Sequence, residues 1–384
     1  MSTLKVDAIR HNSATSDAIT TVADGTCTAK ITGMTGGGAL SHRNKVINGG
    51  MVINQRASSY TSTGGEYTLD RFQHASGSSF TFDTTTTQDS STPDGFSKSL
   101  KITPDSTQTP TGSHNGVIRQ VFEGQDFQDL AFGTSSAKSV TVSFYAKSSS
   151  QNNNHQYGVQ LRCRDGSTTQ YVNQAFTVTS SWQRFTMTFV GNTGVAIRND
   201  SDVGFEVCFH LTSGSTDIVS ATSTWTTSSA FLTVTGQSNF MDNTSNEFYL
   251  TGVQLEVGDT ATSFEHRSFA DELQRCKRYF QKMERTNQET FCSGYFESNT
   301  QGRYALVFPV EMRSAPTITF SAASTFTNIH TGSLGTGQTL NTTNTTPQSA
   351  LVNCTVNSGG TDGQACLLGA QTSQTATMSI SAEI

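Results

Sequence analysis

Residues 203–211, VGFEVCFHL, place Val203, Phe205, Val207, Phe209 and Leu211 on one side of an extended chain and Glu206, Cys208 and His210 on the other. A helix repeats its faces every 3.6 residues and cannot bury a pattern of period two, so this segment must be a strand with one apolar face. The alternation recurs at 140–147, where Val140, Val142, Phe144 and Ala146 oppose Thr141, Ser143, Tyr145 and Lys147. It returns with Val159, Leu161 and Cys163, with Phe185, Met187 and Phe189, and with Tyr249, Val253, Leu255 and Val257. One-faced strands belong to antiparallel sheets that each turn one side to a core, and many of them separated by polar turns predict a two-sheet jelly roll. On this pattern His210 belongs to a solvent-facing side, while Cys163 and Cys208 act as small buried hydrophobes.

Composition narrows the function classes. Charged residues make up 14% of the 384, and the formal net charge is −6. That balance argues against non-specific binding of phosphate backbones, so nucleic acid is not an expected partner. The seven cysteines are odd in number and contain no CxxC pair, which is neither a disulfide framework nor a zinc spacing. No apolar run approaches the ~18–20 residues that cross a bilayer, and the first residues lack the apolar stretch of a secretory signal. A chain made in a reducing cytoplasm, without membrane insertion, is the expectation. Histidines show no HxH, HxxxH or HExxH spacing, the scattered carboxylates nominate no catalytic pair, and the GSLGTGQT stretch lacks the lysine of a phosphate loop. Neither a cofactor, a metal nor an enzymatic activity is expected.

The chain divides into four parts. Residues 1–44 hold short β-prone pieces but too little bulk for a core, and read as an extended anchoring arm with Gly36, Gly37 and Gly38 as a hinge. Residues 45–265 form the sandwich, with 83–97 read as a surface loop turning at Pro93-Asp94-Gly95. In 266–286, Ser268 caps an amphipathic helix with acidic Asp271 at its third position, and Phe269, Leu273, Cys276, Phe280 and Met283 form an apolar stripe. So short a helix needs something to bury its stripe, either a neighbouring β domain or copies of itself around a symmetry axis. Residues 287–384 form a second small β domain, in which Pro309 marks a strand edge and 331–350 reads as exposed loop.

Sugar binding asks only for a flat aromatic face and a few polar groups. Trp225, in a polar stretch, and Tyr60 are the candidates; Trp182 fits a sandwich corner better.

Several stretches together resemble a known family. MSTLKVDAI at the start, VINGGMVINQRASSYTSTGGEYTLDRF at 46–72, GVIRQVFEG, SVTVSFYAKSS, the strand and helix of 251–281, and ALVFPVEMRSAPTITFS at 305–321 are similar to tail-fibre and other virion structural proteins of tailed, especially marine, bacteriophages that contain a carbohydrate-binding-module-like jelly roll. Asn48, Gly49, Met51, Gln55, Arg56, Asp70 and Arg71 fall in matching places. The resemblance implies a non-enzymatic, homotrimeric virion (tail) component, docked to tail or other virion proteins through residues 1–44 with its distal β domain facing outward; recognition of host cell-surface glycan through its loops is the leading expectation. A head-fibre, decoration or tail-collar subunit is the alternative, and a polysaccharide depolymerase a further one.

Overall fold

The computed structural model describes residues 8–10, 15, 19–21, 27–29 and 42–384, apart from 78–79, 166–168, 229 and 331–332. Two six-stranded antiparallel sheets make the sandwich. The first runs, edge to edge, Thr222–Thr227, Gln170–Thr177, Gln156–Cys163, Val203–Ser213, Asn115–Glu123, Gln73–Gly77. The second runs Gln183–Phe189, Val140–Ser148, Phe248–Val257, Ser99–Pro104, Thr84–Asp89, Ser59–Ser62. The chain passes repeatedly between the sheets, as a jelly roll does. Their inner faces meet in aromatic contacts: Phe144 stands edge-on to Phe209 and to Phe176, each with ring centroids 5.0 Å apart, and Tyr157 meets Phe248 at 5.6 Å. Each such pair adds ~0.5–1.5 kcal/mol to area burial.

The expected loop at 83–97 is in part a strand, Thr84–Asp89. Thr84 and Thr86 point into the core, where their hydroxyls meet the two ring nitrogens of buried His74 at 3.0 and 2.6 Å. A threonine run thus works as a core strand because a histidine from the opposite sheet satisfies it. The turn at Pro93-Asp94-Gly95 is present, closed by the Phe96 N–H on the Pro93 carbonyl.

His210 is not on the surface. Glu206, Cys208 and His210 do lie on the outward side of Val203–Ser213, yet all three are fully buried. After the edge strand Thr222–Thr227 the chain folds back across this sheet as a strap. Phe231 lies over Arg162, 4.1 Å from its ring centroid, and the Thr233 carbonyl accepts from Asn173. The Gln237 amide donates to the His210 carbonyl. A Cβ on Gly158 would stand 2.3 Å from the Thr233 hydroxyl, so only glycine lets the strap approach this closely.

The helix is shorter than its stripe suggested. It spans Phe269–Lys277, with the Ser268 hydroxyl accepting the Asp271 N–H at 3.1 Å as its cap. Leu273 and Cys276 pack on Ile47, Val52, Ile53 and Tyr279, whereas Phe269 is 62% exposed. Phe280 and Met283 belong to a strand, Phe280–Thr286, that pairs with Thr375–Ser381. The partner strand supplies hydrogen bonds and apolar contact, Met283 opposite Met378, that a further turn of helix could not match.

Three strands, Phe280–Thr286, Thr375–Ser381 and Thr317–Phe320, form one small sheet; six more close into a barrel in the order Thr290–Phe296, Gln301–Val307, Ser349–Val356, Ser333–Thr343, Phe326–His330, Ala365–Ala370. The expected loop at 331–350 therefore contains an eleven-residue strand, Ser333–Thr343. Its lack of bulk is a packing requirement at Gly337, where a Cβ would come within 2.7 Å of the Ala323 carbonyl. The strand before Pro309 ends at Val307. In the 1–44 segment, Ala8–Ile9, Ile19–Thr21 and Cys27–Ala29 pair with one another in order. The glycine triplet at 36–38 lies outside the described residues.

Candidate functional site

The stretch that carries the family resemblance builds the junction between the two β domains. Asn48, Met51 and Arg71 adopt left-handed backbone with φ of 60°, 57° and 70°. The Asn48 amide donates to the Ile53 and Asp70 carbonyls while its Oδ1 accepts the Ile53 N–H, which locks the turn. Gln55 donates to both Asp70 oxygens, at 2.7 Å from its backbone and 2.6 Å from its side chain. Burial still pushes the Asp70 carboxyl above its usual range.

Arg56 and Arg71 both reach Glu383, just beyond the last strand of the small sheet. Arg71 is buried, with its guanidinium 3.5 Å from the Tyr279 ring centroid. From the other side, Arg278 and Tyr279 hold Glu123 of the sandwich at 2.7 and 2.5 Å. Burial opposes ionisation of Glu123, but these donors outweigh it and hold the carboxyl below its usual range. Arg313 adds a bond to the Ser201 carbonyl at 2.9 Å. The domains are thus clasped by buried charge pairs, and the groove between them has fixed walls.

That groove, about 340 Å³, is lined by Arg56, Tyr60, Phe280, Lys282, Thr317, Thr319, Ser379 and Ser381. Strand register explains the floor: Phe280, Ser381 and Thr317 form one row across the small sheet, and Lys282, Ser379 and Thr319 the next. Arg56 lies 3.7 Å from the Phe280 ring centroid and covers that ring. Tyr60, at the sandwich edge, is the half-buried ring left facing the groove. One Arg56 terminal nitrogen binds Glu383 at 2.6 Å, while its Nε is buried without a partner. Lys282 stands 3.4 Å from Glu284, whose side chain is 52% exposed. The lining offers one phenol ring, four hydroxyls and two cations.

A second aromatic surface lies on the outer face of the second sheet. Phe96 meets Tyr145, Phe264 and His266 with centroids 5.0–5.2 Å apart, beside a cavity of about 320 Å³ that Arg267 and Glu272 also line. Phe96 and Tyr145 rest on Gly252, whose φ is +62°. Further along the same face, Lys147 sits over Tyr249 and Trp182 at 4.4 and 5.5 Å.

Of the two sugar-face candidates, Tyr60 lines the interdomain groove. Trp225 sits on the edge strand with its indole N–H bonded to the Val190 carbonyl at 2.7 Å, and its ring packs edge-on to Phe132. Phe280, assigned to a helical stripe, turns out to form part of the groove floor, while Phe269, Leu273, Cys276 and Met283 lie outside its lining. Sequence reasoning missed Arg56, Lys282 and the hydroxyls. The alternating polar positions of PTITFS and ATMSIS were the available signal: Thr317 and Thr319 oppose Ile318 and Phe320, and Ser379 and Ser381 oppose Met378 and Ile380. Among the described residues no cluster of three His, Cys, Asp or Glu side chains could hold a metal ion, and no helix is long and apolar enough to cross a membrane.

No protein family matches the chain, and no curated protein matches it. Among solved structures, the chain is similar to the enzymatically active domain of tailspike protein 4 of bacteriophage CBA120, at 14% identity and a TM-score of 0.28, over 56% of this chain and 21% of that one. It is also similar to a xylan-binding domain from Paenibacillus barcinonensis, at 13% identity and a TM-score of 0.27, over 53% of this chain and 94% of that one. A family 11 carbohydrate-binding module from Clostridium thermocellum, solved with a mixed-linked tetrasaccharide, aligns at 14% identity and a TM-score of 0.27, over 54% and 98%. These likenesses are weak, and the antiparallel sandwich is established by the strand order itself.

Proposed function

We propose that this chain is a non-catalytic glycan-recognition protein of a tailed-phage virion, a homotrimeric tail fibre or receptor-binding protein attached through residues 1–44. The observation that carries the glycan reading is the interdomain groove, which Tyr60 lines together with four hydroxyls and the cations Arg56 and Lys282. A ring to cover the apolar face of a sugar and hydroxyls to exchange hydrogen bonds with it are what such recognition needs, and the volume lies at the small end of ligand sites. The buried clasp keeps the walls in place before ligand arrives, which lowers the ordering cost of binding. A weak site suffices in a trimer, because linked copies raise the effective concentration for each later contact. The virion part of the reading is supported by the resemblance of 46–72 and of the other matched stretches.

The test is binding of the full chain to host-cell glycan, followed by glycan array or titration calorimetry, beside Tyr60→Ala. Binding lost in a variant of unchanged melting temperature is the expected result. Undiminished binding by Tyr60→Ala would remove the groove from the reading.

One observation favours a non-receptor structural subunit instead. On the barrel wall the register aligns Ala305, Ser293, Leu367, Ile329 and Leu334 in one row, flanked by exposed Tyr295 and Val307. A charge-poor apolar row of this kind suits packing against another virion protein. Immuno-electron microscopy of the virion separates the two: label at the tail tip supports the receptor reading, label on the head supports the other.

A further inference from the structure

The groove's charge is one-sided. Its two ionisable lining residues of clear charge, Arg56 and Lys282, are both cations, in a chain whose formal net charge is −6. Neither charge is consumed by a partner inside the groove. Arg56 gives one terminal nitrogen to Glu383, which it shares with Arg71, so one carboxylate answers two guanidiniums. The Nε of Arg56 is buried and unpartnered. The partner of Lys282 is Glu284, two residues along the same strand, more than half exposed, 3.4 Å away and outside the lining. An exposed pair of that geometry is weak and screened, so it yields to a better-placed anion. A planar carboxylate is the group a guanidinium and an ammonium most readily hold together. The four hydroxyls stand on adjacent strands, about 4.8 Å apart across the sheet, a spacing that suits the ring hydroxyls of a sugar carrying that carboxylate.

We infer that the groove takes an acidic sugar, a uronate or sialate residue of a surface polysaccharide, with its carboxylate between Arg56 and Lys282 and its ring beneath Tyr60. This rests on the glycan reading of the same groove and adds the class of sugar.

The experiment titrates the full chain with trigalacturonate and with sialyl-lactose, each beside its neutral methyl ester, with Lys282→Ala and Tyr60→Ala in parallel. The acid should bind about tenfold or more tightly than its ester, as expected for one charge-assisted contact, and added salt should narrow the gap. Lys282→Ala should remove most of that difference and leave ester binding in place, while Tyr60→Ala should weaken acid and ester alike. Acid and ester binding equally, both lost in Tyr60→Ala, would overturn the acidic-sugar inference and leave glycan recognition standing. Binding of neither form would overturn both. Competition by inorganic sulfate as effective as competition by the sugar acid would also overturn it, because the groove would then hold a bare anion.

Discussion

On the first sheet, the outward residues Glu206, Cys208 and His210 are as buried as Phe205, Val207 and Phe209, which point into the core from the same strand. On the second sheet, Tyr145 and Lys147 stay partly exposed although their strand, Val140–Ser148, is equally apolar on its inner side. The difference comes from what crosses each face. The strap of residues 230–239 seals the first over Gly158; on the second, the chain after Val257 covers one end, where Thr141 bonds the Gly258 carbonyl and Gln254 the Ser263 carbonyl, and the end that carries Tyr145 and Lys147 stays partly open. Sealing turns a polar face into a buried ionic core: Glu206 accepts from Arg119, Arg162 and Arg164 at 2.8–3.0 Å. Burial would raise the Glu206 carboxyl, but the three guanidiniums override it and hold it below its usual range. On the open face, Lys147 and Lys101 over Tyr249 are exchangeable surface contacts. A polar residue in an alternating strand can therefore be either solvated or locked, depending on chain that lies elsewhere in sequence.

The largest break in this contrast is expected from Glu206→Ala, which strands the Arg119 and Arg162 guanidiniums beneath the strap. Urea unfolding should show a loss of about 3–5 kcal/mol, the range for removing one partner of a buried charge cluster. A loss below 1 kcal/mol would mean the strap opens readily to water.

Acid should come next. Burial lowers His74 and His210 from their ordinary 6.5 to about 3 in the folded chain, Glu66 opposing the fall at His74 and Arg162 adding to it at His210. The unfolded chain then binds more protons below pH 6.5, so the stability each neutral ring contributes is complete above 6.5 and falls progressively toward pH 3. At pH 4.5 each should cost about 2–3 kcal/mol, at ~1.4 kcal/mol per unit. Denaturation midpoints at pH 7 and 4.5 for the wild type, His74→Asn and His210→Gln check this; a slope that neither variant flattens would assign the acid sensitivity to the carboxylates.

Gly158→Ala should displace the strap at about 1–3 kcal/mol, through the 2.3 Å contact with the Thr233 hydroxyl, and speed exchange of the Thr233 and Thr235 N–H groups. The smallest effect belongs to the open face: Lys147→Ala should change stability by less than about 1 kcal/mol, since it removes cation–π contacts from a partly exposed site. A larger loss would show that this face, too, is structurally committed.

Much of this was legible in advance. Period-two alternation located the strands at 140–148, 203–213 and 248–257 and assigned Cys163 to the interior, because a strand's faces are a local property, whereas Cys208, read as a buried hydrophobe, lies on the outward side and is buried only by the strap. Ser268 announced the helix start, since capping needs only a hydroxyl and the next turn. The helix end was not legible: Phe280 and Met283 continue an apolar stripe at helical spacing, and only pairing with Thr375–Ser381, about a hundred residues on, makes them strand. The threonine-rich 84–89 and glycine-rich 333–343 failed for the same reason, being strands held by partners rather than by their own bulk.

The residues themselves determined that this chain would be a stack of antiparallel sheets with one apolar side each, because alternation is written in neighbouring positions and hydrophobic burial acts on it directly. Tertiary structure alone decided which polar sides would be sealed and where a groove would open. Tyr60, Lys282, Thr317 and Ser381 stand far apart along the chain and meet only because register and the Arg56 and Arg71 clasp on Glu383 bring two sheets edge to edge.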